Sequence, residues 1–149
     1  MEVLYIAYGA ELDPGFMKMA FRRAKVVAKS WLHDHRLIFT GDEYEGRANI
    51  IPAKGYEVPV VVWSISLNDK ALKQSNSDGV YKKMSMSLEV DGEIREALVY
   101  LPRSTDYALP TVEHLAKIIR GYKHYNFDKK YIIDAVKYSC EKAEKEETA

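Results

Sequence analysis

The chain has 149 residues, 47% of them hydrophobic and 30% charged, and a mass of 17.1 kDa; this is the size and balance of one domain around one core, and it excludes a disordered or fibrous chain. A formal net charge of +0 with a pI near 6.9 argues against nucleic acid as a partner, and no run reaches the roughly 18 apolar residues of a membrane-spanning helix, so no membrane is expected either. The single cysteine, Cys140, cannot form an internal disulfide, and the residues before the first strand carry neither a basic n-region nor a long apolar h-region, which predicts a cytoplasmic protein.

The first strand is predicted from Val3 to Tyr8, an apolar run closed by Gly9. Asp13-Pro14 offers an N-cap with proline in the first helical position, and Phe16, Met17, Met19 and Ala20 give a short helix before Arg22-Arg23. Lys25 to Trp31 and Arg36 to Phe39 read as two strands joined by His33-Asp34-His35. Ala48 to Ile51, stopped by Pro52, and Glu57 to Ser66 read as a second pair around a turn at Lys54-Gly55. Tyr81 to Val90 alternates polar and apolar side chains, Asp91-Gly92 is a strong two-residue hairpin signal, and Ile94 to Tyr100 returns antiparallel.

After Pro110 the period changes from two to three and a half. Thr111, followed by Glu113 and His114, opens a helix whose Val112, Leu115, Ile118 and Ile119 share a face, with Gly121 as its C-terminal signal. A second helix starts at Asp128 and buries Tyr131, Ile132, Ala135, Val136 and Cys140. Strands first and helices last predict an α+β fold, a small mixed or antiparallel barrel-like sheet flanked by helices. Residues 1–140 form the single domain and 141–149 a charged tail that frays.

The stretch Tyr5-Ile6-Ala7-Tyr8-Gly9-Ala10-Glu11-Leu12 runs an apolar strand into a glycine turn able to aim bare amides at a ligand. It resembles the Tyr-Gly-Ser-Asn-Leu signature of the gamma-glutamylcyclotransferase-like (AIG2-like) family, with Ala10 and Glu11 in place of the serine and asparagine. The resemblance continues in register over residues 3 to 138. Ala24 to Val27 with Leu32 and His35 to Phe39 is similar to the second and third strands, and Gly46 to Pro52 to the glycine-x-alanine-asparagine-isoleucine stretch. Val58 to Ser66 matches the central strand, and Leu109-Pro110-Thr111 with Ile118 to Tyr122 the late proline-serine motif and its helix.

The resemblance implies a metal-free and cofactor-free enzyme that cyclises a gamma-glutamyl group to 5-oxoproline. Its glycine turn holds the glutamyl end and one glutamate moves the proton. That glutamate falls in the segment from Leu72 to Gly79, where counting forward from Leu72 gives Asn76 and counting back from Tyr81 gives Gln74. Neither amide can exchange a proton at neutral pH, so no residue here inherits the catalytic role directly; Asp78 and Glu11 are the substitutes at hand. His114 stands where the motif has tyrosine. A carboxylate at Glu11 repels the carboxylate of a glutamyl substrate by about 1–4 kcal/mol and favours hydroxyl, amino or amide groups.

The expected pocket is lined by Tyr8, Gly9, Ala10, Glu11, Leu12, Gln74, Asn76, Tyr81 and His114. Plainer roles stand beside these. Glu11 can charge the start of the next helix, Tyr8 can be core, Gly9 a turn glycine and His114 a satisfied histidine. His33-x-His35 lacks a third metal ligand, Tyr122-x-x-Tyr125-x-Phe127 suits packing of the last two helices, and Lys70, Lys73, Lys82 and Lys83 suit a solvated rim. Three functions remain open. The leading one is a monomeric or weakly self-associating binder that holds or sequesters a small polar metabolite or signalling molecule without turnover. The others are an active cyclotransferase with a relocated acid, and a protein-interaction module with a vestigial pocket.

Overall fold

A computed structural model describes residues 2–21, 23–66 and 79–148, the side chains of 147 and 148 excepted. Along it run β1 (Glu2–Ala7), a 3₁₀ turn (Ala10–Leu12), α1 (Phe16–Ala20), β2 (Lys25–Asp42), β3 (Glu45–Ser66), β4 (Tyr81–Val90), β5 (Glu93–Pro102), α2 (Val112–Tyr125) and α3 (Lys130–Thr148). The five strands form one mixed sheet in the order β2-β3-β1-β5-β4. β1 lies between β3, to which it is antiparallel from Glu2↔Ser66 to Ala7↔Val61, and β5, to which it is parallel at Tyr5↔Leu98. A strand in that position has its backbone paired on both edges, and the second half of β1 is also covered on both faces. Tyr5, Ile6 and Ala7 are accordingly buried in succession, as are Val58 to Trp63 of β3.

The expected α+β architecture is present, but the barrel is not closed. β2 and β4, the edge strands, approach each other where Ser30 Oγ donates to the Glu89 carbonyl oxygen, yet no backbone ladder joins them among the described residues.

Two of the expected turns are not turns. β2 runs through His33-Asp34-His35 and β3 through Pro52 and Lys54-Gly55, so four expected strands are two long ones, paired from Lys25↔Ser64 to Asp42↔Glu45. Between His33↔Glu57 and His35↔Pro52 the residues Ala53 to Tyr56 stand opposite Asp34 alone. The left-handed backbones of Asp34 (φ 58°) and Gly55 (φ 86°) absorb the excess, and Asp34 Oδ1 accepts from Gly55 N at 3.0 Å. A turn-like composition therefore makes a bulge that bends the ladder without ending it. The Asp91-Gly92 hairpin is as expected, both residues having positive φ (51° and 84°), and joins β4 to β5.

Helix boundaries differ from expectation where tertiary contacts intervene. α1 starts at Phe16 behind Gly15, two residues beyond Pro14. Thr111 caps α2 as expected, its Oγ1 accepting from His114 N at 3.1 Å. That helix does not end at Gly121; it continues to Tyr125 and closes on Asn126 in the left-handed conformation (φ 61°). Asp128 Oδ1 accepts from Lys130 N at 2.9 Å at the start of α3, which remains helical through the charged residues from Glu141 to Thr148. No helix of the described residues is long and apolar enough to cross a membrane.

Candidate functional site

β1 delivers the chain to the centre of the sheet, and there it turns. Leu12 N donates to Gly9 O at 3.0 Å and Asp13 N to Ala10 O at 3.1 Å, closing the 3₁₀ turn. Gly9 is required by proximity: a Cβ at this position would lie 2.7 Å from the Ala48 Cβ of β3. On its outer side the turn is clamped by α2. Leu12 is buried against Gly121, and Arg120 reaches Asp13 with two hydrogen bonds, Nε to Oδ1 at 2.9 Å and Nη2 to Oδ2 at 3.2 Å. The guanidinium holds the Asp13 carboxyl below the usual carboxylate range.

With its neighbours fixed, Glu11 lines a cavity of about 140 Å³ walled by Tyr5, Phe16, Ala20, Phe21, Tyr81 and Tyr100. It does not serve the following helix, whose N-cap is Gly15 without a side-chain cap. Its Oε2 accepts a long hydrogen bond, 3.4 Å, from Gly9 N. Burial raises the Glu11 pKa, and the backbone N–H groups of Glu11 and Gly9 only partly oppose that rise. Burial, and then the Glu11 charge, hold the hydroxyls of Tyr5 and Tyr8 well above the usual phenol range. Both tyrosines are therefore neutral at any ordinary pH.

Of the residues expected to meet in a pocket, Glu11 and Tyr81 share this cavity. Tyr8 lies beside it as a brace: its hydroxyl donates to Tyr100 O at 2.8 Å and lies 3.3 Å from Ala48 O, tying β1 to β5 and β3. Ala10 is half-buried in the turn, and Leu12 belongs to the α2 contact. His114 faces β3, where its Nε2 accepts from Ala48 N at 3.1 Å and its ring meets Phe39 edge-on at 6.4 Å. That acceptor role needs an unprotonated Nε2. Burial, with smaller contributions from Arg47 and Lys117, lowers the His114 pKa in the same sense. Gln74, Asn76 and Asp78, like Lys70 and Lys73, lie outside the described residues.

Sequence patterns missed Tyr5, Phe16, Phe21 and Tyr100. The rings of Tyr5 and Phe21 are 5.6 Å apart and those of Tyr5 and Tyr100 6.1 Å, each pair tilted by 44°. At the rim, Arg47 donates from Nη1 to the Tyr81 hydroxyl at 2.8 Å. Elsewhere His33 Nδ1 stands 3.6 Å from Glu57 and His35 Nδ1 lies 2.8 Å from His33 O; among the described residues no cluster of ligating side chains is arranged for a metal ion. Tyr122, Tyr125 and Phe127 pack together at the junction of α2 and α3.

Comparison with solved structures identifies the fold. The chain superposes on a gamma-glutamyl cyclotransferase with a TM-score of 0.75 at 22% identity, covering 88% of this chain and 84% of the other. It is also similar to an uncharacterized protein from Homo sapiens (TM-score 0.71, 24% identity, 87% and 83% covered). An AIG2-like protein from Mus musculus is more distant (TM-score 0.51, 14% identity, 76% and 82% covered). No protein-family model and no curated protein matches the sequence.

Proposed function

We propose that this chain, which has the gamma-glutamylcyclotransferase-like fold, binds a small polar molecule in the cavity at Glu11 without cyclising a gamma-glutamyl group. The observation behind this reading is a half-buried carboxylate in an aromatic pocket beside the glycine turn. Ionised, it would oppose the carboxylate of a glutamyl substrate by about 1–4 kcal/mol at ~4 Å. The same charge, backed by the Gly9 amide, favours a ligand that offers hydrogen-bond donors. A rigid turn clamped by α2 presents the carboxylate in one place, which limits the ordering cost of binding.

One feature favours a second reading, an active cyclotransferase whose acid has moved to Glu11. Burial raises the Glu11 pKa above the ordinary carboxylate value, and a carboxyl shifted in that direction suits the transfer of a proton from attacking amine to leaving nitrogen.

A thermal-shift screen with mass spectrometry separates the two. The purified protein is incubated with pools of gamma-glutamyl compounds, amino acids and nucleotide derivatives. A native-state ligand at a hundredfold excess over its Kd stabilises by roughly 2.7 kcal/mol. Recovery of the stabilising compound unchanged supports binding; release of 5-oxoproline, abolished in Glu11→Gln, establishes the enzyme instead.

A further inference from the structure

We infer that the group held against Glu11 is a protonated amine, an ammonium on a small organic ligand, enclosed by the rings of Tyr5, Tyr81 and Tyr100; this rests on the binding function proposed above and names what the pocket takes.

The first ground is charge. Ion pairs among the described residues join His33 to Glu57, Arg36 to Asp134 and Arg120 to Asp13, and none of them involves Glu11. Among the described residues the Glu11 carboxylate is met by backbone N–H groups alone, of which the Gly9 contact is long. A half-buried carboxylate without a cation is destabilised by the water it has lost, and desolvated charges are as a rule paired. A cationic ligand supplies the missing partner, an anion compounds the cost, and a neutral hydroxyl leaves the charge uncompensated.

The second ground is the wall. Apart from Glu11 and Ala20 it is entirely aromatic: Tyr5, Phe16, Phe21, Tyr81 and Tyr100. The 44° tilts of Tyr5 against Phe21 and Tyr100 show that Tyr5 is not stacked face to face with either, while the Tyr81 ring at the rim has the Arg47 guanidinium 5.5 Å from its centroid. Ring faces are the negative ends of their quadrupoles and attract ammonium groups, most strongly out of water. A carboxylate and several tyrosines on one small cavity are thus complementary to the same charge.

The third ground is size. A cavity of about 140 Å³ equals the volume of only about four or five waters. It admits an ammonium head with a few carbons and excludes a whole nucleotide or dipeptide, whose remainder has to extend past the Tyr81 rim.

The test uses the full chain at neutral pH and ligand-observed NMR, with n-butylammonium as the probe and 1-butanol and butyrate as the neutral and anionic controls of similar length. The ammonium is expected to bind at least about tenfold more tightly than either control, and Glu11→Gln to weaken it by at least about tenfold. Tyr81→Leu, which removes the ring, loses several-fold; circular dichroism checks that each variant is folded. Equal binding of butanol, undiminished binding by folded Glu11→Gln, or no ammonium binding at millimolar concentration overturns the inference. These outcomes differ from failure of the binding function itself. A stabilising metabolite without an amine, equally effective on Glu11→Gln, removes the ammonium and leaves the pocket, while 5-oxoproline release removes the binding function.

Discussion

Gly121 in α2 sits directly against the backbone of Leu12, so closely that a methyl group at position 121 would come within 2.6 Å of the Leu12 carbonyl oxygen. Alanine is the better helix former by ~1 kcal/mol, but overpacking against an obstacle that cannot rotate away costs about 1–3 kcal/mol. Gly121→Ala is therefore expected to lower the urea midpoint despite improving the helix. It should also weaken ligand binding, because the helix would push on the turn that carries Glu11. A midpoint at or above the parent's, with unchanged affinity, contradicts this account of the clamp.

Glu11 should give the protein an inverted pH response. Its folded pKa lies above the ordinary value of 4.5 because of burial. Between those two values the native state holds more protons than the unfolded one, so the Glu11 contribution to stability falls as pH rises through the window and is flat above it. Glu11→Gln is expected to remove that slope and to raise the neutral-pH Tm of the ligand-free protein, by ~2–4 °C for each kcal/mol recovered. Thermal melts of both proteins across the acid range measure it; parallel curves would show that Glu11 is not a buried charge.

His114 predicts the opposite slope. Burial places its folded pKa below 6.5, and its Nε2 must stay unprotonated to accept from Ala48 N. As pH falls below 6.5 the unfolded chain takes up the proton first, so stability declines until the depressed folded value is reached and then levels off. His114→Ala leaves the Ala48 amide without its acceptor, a loss of about 1–3 kcal/mol at neutral pH, and abolishes this part of the pH dependence. Chemical unfolding at neutral and mildly acidic pH separates the two effects.

Tyr8 is expected to matter for stability more than for chemistry. Tyr8→Phe removes the 2.8 Å bond to Tyr100 O and the longer contact to Ala48 O while keeping the ring. The expected cost is about 0.5–1.5 kcal/mol, with ligand affinity changed less than twofold. An affinity loss of about tenfold or more without a stability loss would make the hydroxyl part of the binding site.

How far the molecule could be read from its sequence differs by level. Local chemistry was legible: Asp91-Gly92 makes the hairpin and Thr111 makes the cap, because each depends on a few adjacent atoms. The continuity of β2 and β3 was not. Asp34, Pro52 and Gly55 have the composition of turns, and only the partner strand decides that Pro52 pairs with His35 and that Gly55 answers Asp34 across the ladder. Gly121 was misread as a helix stop because the reason for a glycine there is Leu12, more than a hundred residues earlier. Glu11 was accessible through the glycine-turn motif and Tyr81 as the tyrosine that closes the Leu72 to Gly79 stretch in the family the chain resembles, whereas Tyr5 and Tyr100 enter the cavity through the order of strands in the sheet and Phe21 from the end of α1.

The placement of β1 between β3 and β5 makes the pocket inseparable from the native sheet. Tyr5 and Glu11 come from the clasped strand and its turn, Tyr100 from β5, and Tyr81 from the start of β4. Once β1 leaves its slot, the walls no longer face one another. A molecule held there would recognise only the folded chain and so act as a thermodynamic latch, retaining β1 in proportion to how fully it fills the pocket.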